Sequence, residues 1–229
     1  MELTAAALMT RLRDHARPGE VMHKHYPGEG EVLGVPMRST FDTAKAFTAL
    51  PLAEVERLLD EPSYEARLSG FCVLDFQARR AKLPDKDRRA AYELYLRRHD
   101  AIDSWDMVDR AAPHVIGRYL LDRPRDPLFE LARSGEPLRR RTAITAPLYF
   151  ARFGTAGHLT DLFAIAELLL GDHDPVVSKP VGIALKYAGV LDEATLRIFL
   201  DKHAATMQRP ALRYAVEKLD PAVRRAYLG

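Results

Sequence analysis

The chain of 229 residues has one cysteine and one tryptophan. Cys72 has no second thiol to pair with, so a disulfide framework is excluded and a reducing compartment fits. Its place in the apolar run Gly70 to Phe76 reads as that of a buried structural thiol. No window reaches the ~18 apolar residues that a membrane span needs. The N-terminus, Met1 to Arg17, lacks the continuous apolar stretch of a signal peptide; Leu3, Leu8, Met9 and Leu12 are spaced helically among charges. A soluble, cytoplasmic protein is therefore expected. Charge of one sign is missing too: 34 Lys and Arg against 32 Asp and Glu leave a net +2, so only the placement of charge can identify a partner.

What is present is helical periodicity. Hydrophobic residues make up 47% of the chain, enough to bury a sizeable core. A Gly- and His-rich connector, His23 to Pro36, is broken by Pro27, Gly28, Gly30 and Gly34 and reads as turn-rich. Beyond it almost nothing alternates with period two. Apolar residues instead recur every three or four positions over 52–59, 64–82, 88–97, 159–170 and 193–203, which predicts an all-α fold. Short breakers at Glu61-Pro62, Leu83-Pro84, Pro124 to Pro127, Gly135 to Pro137, Gly154 to Gly157 and Gly171 to Pro175 divide these segments into tightly joined pairs. Pro113 and Pro147 interrupt helical patterns and predict kinks. Pro180 and Pro210 each follow a basic residue and read as first-turn positions.

A degenerate repeat emerges when the second helix of each pair is aligned on a basic residue: Arg67, Arg141, Lys179 and Arg209. Arg141 to Lys179 spans 38 residues and Lys179 to Arg209 spans 30, while Arg67 to Arg141 spans 74, about two repeats. Paired helices at that period predict a HEAT-like solenoid, curved with a concave face. The expected organisation is one domain, 1–229, with an N-terminal helix and connector over 1–38 and helical repeats over 39–229. If equivalent positions line the concave face, the four basic residues form a stripe suited to a phosphate backbone. The alternative is that they solvate the surface or bridge neighbouring repeats. The run Arg79, Arg80, Lys82, with Arg88, Arg89, Arg97 and Arg98, reads as a solvated face.

The one tryptophan stands in Asp103-Ser104-Trp105-Asp106-Met107-Val108-Asp109, near a predicted helix start. Trp105 and Asp109 are one turn apart and share a face; Asp106 points elsewhere. An indole beside a carboxylate can receive a cationic ring or a developing oxocarbenium ion. Taken alone, the pair more commonly means a core Trp and an Asp favourable to the helix dipole. His23, His25 and Tyr26 read as exposed loop residues, and Asp172-His173-Asp174 as an inter-repeat turn; neither group has enough ligands for a metal, and none is assigned.

Five ordered stretches resemble the AlkD-like bacterial DNA alkylation repair family. They are Tyr26-Pro-Gly-Glu-Gly with Leu33-Gly-Val; Ser104-Trp-Asp-Met-Val-Asp with Ala112-Pro-His-Val-Ile-Gly; Arg140-Arg-Thr-Ala-Ile; Ile165-Ala-Glu-Leu-Leu-Leu; and Phe199-Leu-Asp-Lys-His-Ala-Ala-Thr-Met with Ala211-Leu-Arg-Tyr-Ala. The resemblance implies a HEAT-like fold and a DNA glycosylase that excises N3- or N7-alkylated, cationic purines from duplex DNA without flipping the base, unlike most glycosylases. It places a sugar-cation-stabilising and water-orienting role on Asp109, a sugar contact on Trp105 and a backbone-holding role on Arg141. Arg140, Lys179, Lys186, Arg209 and Arg67 complete the expected DNA-contacting set. No cofactor is implied, because the lesion's charge weakens the glycosidic bond and water attacks. The expected partner is double-stranded DNA containing alkylated bases, with no membrane, no metal and a monomeric chain that associates with the nucleoid when bound.

This sequence departs from the family pattern twice. Where a second Trp commonly follows Val-Gly it has Val181-Gly182-Ile183-Ala184, and a Trp common near Leu138 is absent. Stacking contacts are worth about 1–3 kcal/mol each, so either activity has decayed to leave a binder of distorted or branched DNA, or the cleft is widened for a bulkier adduct. Tyr149, Tyr187 and Tyr214 are the aromatics nearby that could compensate. A protein–protein scaffold is the third class, since solenoids often serve as one.

Overall fold

The computed structural model describes residues 2–229; Met1, where the predicted N-terminal segment begins, lies outside the described residues. The fold is all-α, as the periodicity predicts. Among the described residues there is no strand, only an isolated parallel bridge between Glu31 and Ser63. Among the described residues no helix is long and apolar enough to cross a membrane. The chain forms two compact units, one up to Ile116 and one from Gly117 onward.

The first unit contains α1 (Ala5–Asp14), α2 (Met37–Ala46), α3 (Leu52–Leu59), α4 (Tyr64–Ala78), α5 (Asp85–Arg97) and α6 (Trp105–Ala112). Every residue of α4 from Tyr64 to Asp75 is buried, and α2, α3, α6, α5 and α1 all pack on it. A helix covered by neighbours on every side lies in the core whatever the polarity of its individual residues. Cys72 is fully buried there, and burial pushes its thiol up to about 12, so it is an inert packing residue as its sequence context predicts. The polar residues that α4 carries inward, Glu65, Arg67 and Asp75, must find partners inside the protein. A π-helical segment, Pro113–Gly117, follows α6 at the point where Pro113 predicts a kink.

The second unit contains α7 (Arg118–Leu120), α8 (Asp126–Ala132), α9 (Pro137–Thr145), α10 (Leu148–Phe153), α11 (Thr160–Leu169), α12 (Pro175–Leu191), α13 (Glu193–His203), α14 (Arg209–Ala215) and α15 (Pro221–Leu228). Here α12 is the central helix, packed by α14, α9, α10, α11 and α13. Prolines stand in the first turns of α8, α9, α12, α14 and α15, where the missing N–H costs nothing. Pro147 separates α9 from α10. Asp174, Asp192 and Asp220 accept backbone N–H groups at the starts of α12, α13 and α15.

Pro180 is not a first-turn residue: Pro175 takes that position, and Pro180 lies inside α12. Proline there leaves the carbonyl four residues earlier without its helical donor. That carbonyl belongs to Val176, and Arg141 of α9 donates to it through Nη1 at 2.6 Å. The proline thus stays in a helix interior because a neighbouring guanidinium takes over the bond it lacks.

Two residues beyond Pro180, α12 and α14 approach so closely that a Cβ on Gly182 would lie 2.2 Å from the Ala211 carbonyl oxygen. Gly→Ala in a helix interior ordinarily gains about 0.5–1 kcal/mol. Here the clash is with backbone and outweighs that gain. Gly182→Ala is expected to lose about 1–3 kcal/mol, read as a lower midpoint in circular-dichroism melting; an unchanged or raised midpoint would show that the two helices can separate without cost.

Candidate functional site

The site in the first unit is built on the polar side chains that α4 buries. Glu65, fully buried, accepts the backbone N–H groups of Leu33 (3.0 Å), Gly34 (2.8 Å) and Val35 (3.1 Å), and meets His23 Nε2 at 3.1 Å. Three donors and an imidazole converging on one carboxylate fix the connector against the first turn of α4. Backbone bonds add to this, from Glu31 N to Pro62 O and from Tyr64 N to Glu31 O. The histidines are therefore not loose loop residues: the His23 side chain is only 5% exposed, because its partner is a buried acid that the sequence places 42 residues away.

Anchored in this way, the connector lies against the start of α6. Tyr26 donates to Asp103 Oδ2 (2.5 Å) and accepts from Gly30 N (3.0 Å) and Arg67 Nη2 (3.0 Å). Arg67 also binds Asp103 Oδ2 (2.5 Å) and the Glu61 and Pro62 carbonyls, both at 2.9 Å. Gly30 is required here, since a Cβ would lie 2.5 Å from the Tyr26 hydroxyl and 2.9 Å from Pro62 O. Burial, then the hydrogen bond to Asp103, raises the Tyr26 hydroxyl above its ordinary range.

One step deeper, Tyr64 donates to Asp106 Oδ2, and His25 Nε2 lies 3.0 Å from the Tyr64 oxygen and 3.2 Å from Asp106 Oδ2. Burial is the largest cause raising the Tyr64 hydroxyl, followed by the bond to Asp106. The His25 ring leans on the Trp105 indole, centroids 5.5 Å apart. Trp105 is 36% exposed and Asp109, one turn on, is exposed. The helical spacing is realised: Trp105 and Asp109 face outward while Asp106 turns inward. Behind them, the fully buried Asp75 is met by Arg79 Nε (2.8 Å), Arg110 Nη2 (3.0 Å) and His114 Nδ1 (3.0 Å). The guanidinium of Arg110 packs over Phe76, 4.6 Å from its centroid.

Most of the basic residues singled out in the sequence are engaged inside the protein. Arg67 (9% exposed) and Arg141 (6%) are buried in the pairings given above. Arg140 binds Asp172 (2.6 Å) and the Ser134 and Gly135 carbonyls, and so locks the turn ahead of α9. Lys186, also buried, meets Glu217 Oε2 at 3.2 Å. Its Nζ lies 5.1 Å from the Tyr187 ring centroid and 5.6 Å from that of Tyr214. Both tyrosines are exposed, and Tyr187 is one turn beyond the partly exposed Ile183. Lys179 and Arg209 are exposed; Arg209 caps the Leu228 carbonyl at 2.8 Å. Asp172, His173 and Asp174 serve the turn before α12, through Arg140, Gln208 and the α12 cap.

Sequence reasoning missed His25, Tyr64, Asp106, Asp103 and Glu65 as site residues. Tyr26, Gly30 and Asp106 lie inside recognisable motifs and His25 is weighed only as a metal ligand, while Glu65, Tyr64 and Asp103 are not singled out.

The chain matches the family model described as DNA alkylation repair enzyme over residues 8–219. Among curated proteins nothing matches. A solved structure described as a predicted DNA alkylation repair enzyme from Enterococcus faecalis is similar in fold, with a TM-score of 0.62, 14% identity and 95% of each chain covered.

Removing the anchor tests this construction. Glu65→Ala leaves three buried N–H groups and His23 without their acceptor, and is expected to cost about 3–5 kcal/mol. Limited proteolysis should then cut within 23–36 under conditions where the parent chain resists; equal resistance would mean that the connector is held by something else.

Proposed function

The chain belongs to the DNA alkylation repair enzyme family, and on that footing we propose that it is a DNA glycosylase, hydrolysing the N-glycosidic bond of N3- or N7-alkylated, cationic purines in duplex DNA without flipping the base. The observation that carries this reading is the division of labour on α6. Trp105 and Asp109 are exposed one turn apart, while Asp106 between them is taken up by Tyr64 and His25. Asp109 is the solvent-exposed carboxylate of this turn and is assigned to the incoming nucleotide. Its role is electrostatic: it stabilises the sugar as positive charge develops at the anomeric carbon, and it orients the attacking water. The leaving purine departs as a neutral base, so no protonation of it is needed. The exposed Trp105 indole packs on the sugar of the damaged nucleotide.

In the second unit, Lys179 and Arg209 are the exposed members of the aligned basic set and are assigned to phosphate contacts. Arg140, Arg141 and Lys186 support them by holding the helices of that unit, whereas Arg67 holds the connector within the first unit. Tyr187 and Tyr214 stand around Lys186 near Ile183, where the family's second Trp is missing, and supply aromatic surface in its place. The absence of that Trp also favours a second reading, a module that binds distorted or branched DNA without cutting it.

Single-turnover release of 7-methylguanine and of a bulky N3-alkyladenine from duplex DNA separates the two. Release above the spontaneous rate, reduced about 100-fold or more in Asp109→Asn, is expected, and the substrate released reports the width of the cleft. Binding without release would leave the non-catalytic module. For the phosphate contacts, Lys179→Ala and Arg209→Ala are each expected to lower the slope of log affinity against log salt by about 1. A parent chain whose affinity is indifferent to salt would point instead to a protein scaffold.

A further inference from the structure

The His25, Tyr64 and Asp106 cluster has no part in the chemistry assigned to Trp105 and Asp109, yet it touches the first of them. Tyr64 has one hydroxyl proton and gives it to Asp106 Oδ2. His25 Nε2 therefore faces two acceptors, the Tyr64 oxygen at 3.0 Å and Asp106 Oδ2 at 3.2 Å. Both contacts are satisfied only if Nε2 carries a proton, which fixes the tautomer and the plane of the ring. The ring is gripped on other sides by Tyr64, centroids 6.0 Å apart, and by His23 at 5.9 Å. His23 is itself held by Glu65. The side chain that meets the Trp105 indole, at 5.5 Å and 59°, is thus one of the best-fixed groups in the connector although a third of it is exposed.

We propose that His25 is a positioning residue of this site: clamped through Nε2–H by Asp106 and Tyr64, its ring is the wall that sets the Trp105 indole for the damaged nucleotide. The inference rests on the glycosylase reading for its consequence, not for the contact itself. It gives Asp106 a purpose distinct from that of Asp109, because the inward carboxylate fixes the wall and the outward one meets the substrate. It also explains why the connector must be docked on α4 before α6 can present an ordered indole. A misplaced aromatic contact costs roughly 5- to 150-fold on the 1–3 kcal/mol scale of base and sugar stacking.

Trp105 is the chain's one tryptophan beside nine tyrosines, so fluorescence excited at the red edge of indole absorption, where tyrosine does not absorb, reports on it alone. Full-length His25→Ala, His25→Phe and His25→Gln would be compared with the parent, each checked for an intact melting transition. In DNA-free protein, His25→Ala is expected to red-shift the emission and increase acrylamide quenching, with His25→Phe, which keeps a ring, closer to the parent than His25→Gln. Single-turnover excision of 7-methylguanine at saturating protein should fall at least fivefold in His25→Ala and be partly restored by Phe, with affinity for undamaged duplex changed less than about twofold. If His25→Ala does not fold, Tyr64→Phe, which frees the clamp but leaves both rings, should show the same signature in milder form. Unchanged fluorescence, or altered fluorescence with unaltered excision, overturns the proposal. A parent chain that releases no base sinks the glycosylase reading instead, and the wall is then judged by the fluorescence together with binding to the alkylated duplex, where an unaltered affinity in His25→Ala would overturn it.

Discussion

A carboxylate removed from water must be surrounded by donors, and Glu65 meets that requirement by drawing in a segment that has no regular structure of its own. The three successive N–H groups of Leu33, Gly34 and Val35, with His23, converge on it. Connectors rich in Gly and Pro are usually mobile surface. This one is tied to the most deeply buried helix of its unit, and the order it gains passes to whatever it touches: Tyr26 to Asp103, His25 to Asp106 and Trp105. Three aspartates within seven residues consequently have different fates. Asp103 pairs with Arg67, Asp106 clamps a histidine, and Asp109 alone of the three faces outward.

The second unit solves a related problem with the opposite charge. Pro180 costs α12 a hydrogen bond, and Arg141 returns one to the stranded Val176 carbonyl. Arg140 does similar work on the Ser134 to Gly135 turn. Of the basic residues that align in sequence, Arg67, Arg141 and Arg209 donate to backbone carbonyls within the protein, while Lys179 is exposed. Charge available for an outside partner is concentrated in fewer residues, Lys179 and Arg209 among them.

The functional reading gains from this inward use of polarity. A site with one outward carboxylate beside one outward indole suits a cation that forms transiently on a sugar, and the neighbouring acids Asp103 and Asp106 are bonded to tyrosines within the protein. Aromatic surface is likewise distributed unlike the family pattern, with Tyr187 and Tyr214 gathered about a buried lysine near the aliphatic Ile183.

The helices were legible because their causes are local. Apolar spacing gave 52–59 and 193–203 to the residue, and Gly and Pro marked most of the boundaries; the one proline misplaced, Pro180, depends on a guanidinium from another helix. On α6 the spacing of Trp105, Asp106 and Asp109 correctly divided outward from inward side chains, since a helix's angular step is the same wherever the helix lies. The partners of those side chains were not legible. Glu65 and Leu33, Tyr64 and Asp106, Arg141 and Val176 are 32, 42 and 35 residues apart. Sequence by itself determined which residues share a face, because that is backbone geometry; only the tertiary structure decided which of their charges stay available, because burial obliges a polar group to bond to whatever the fold brings beside it.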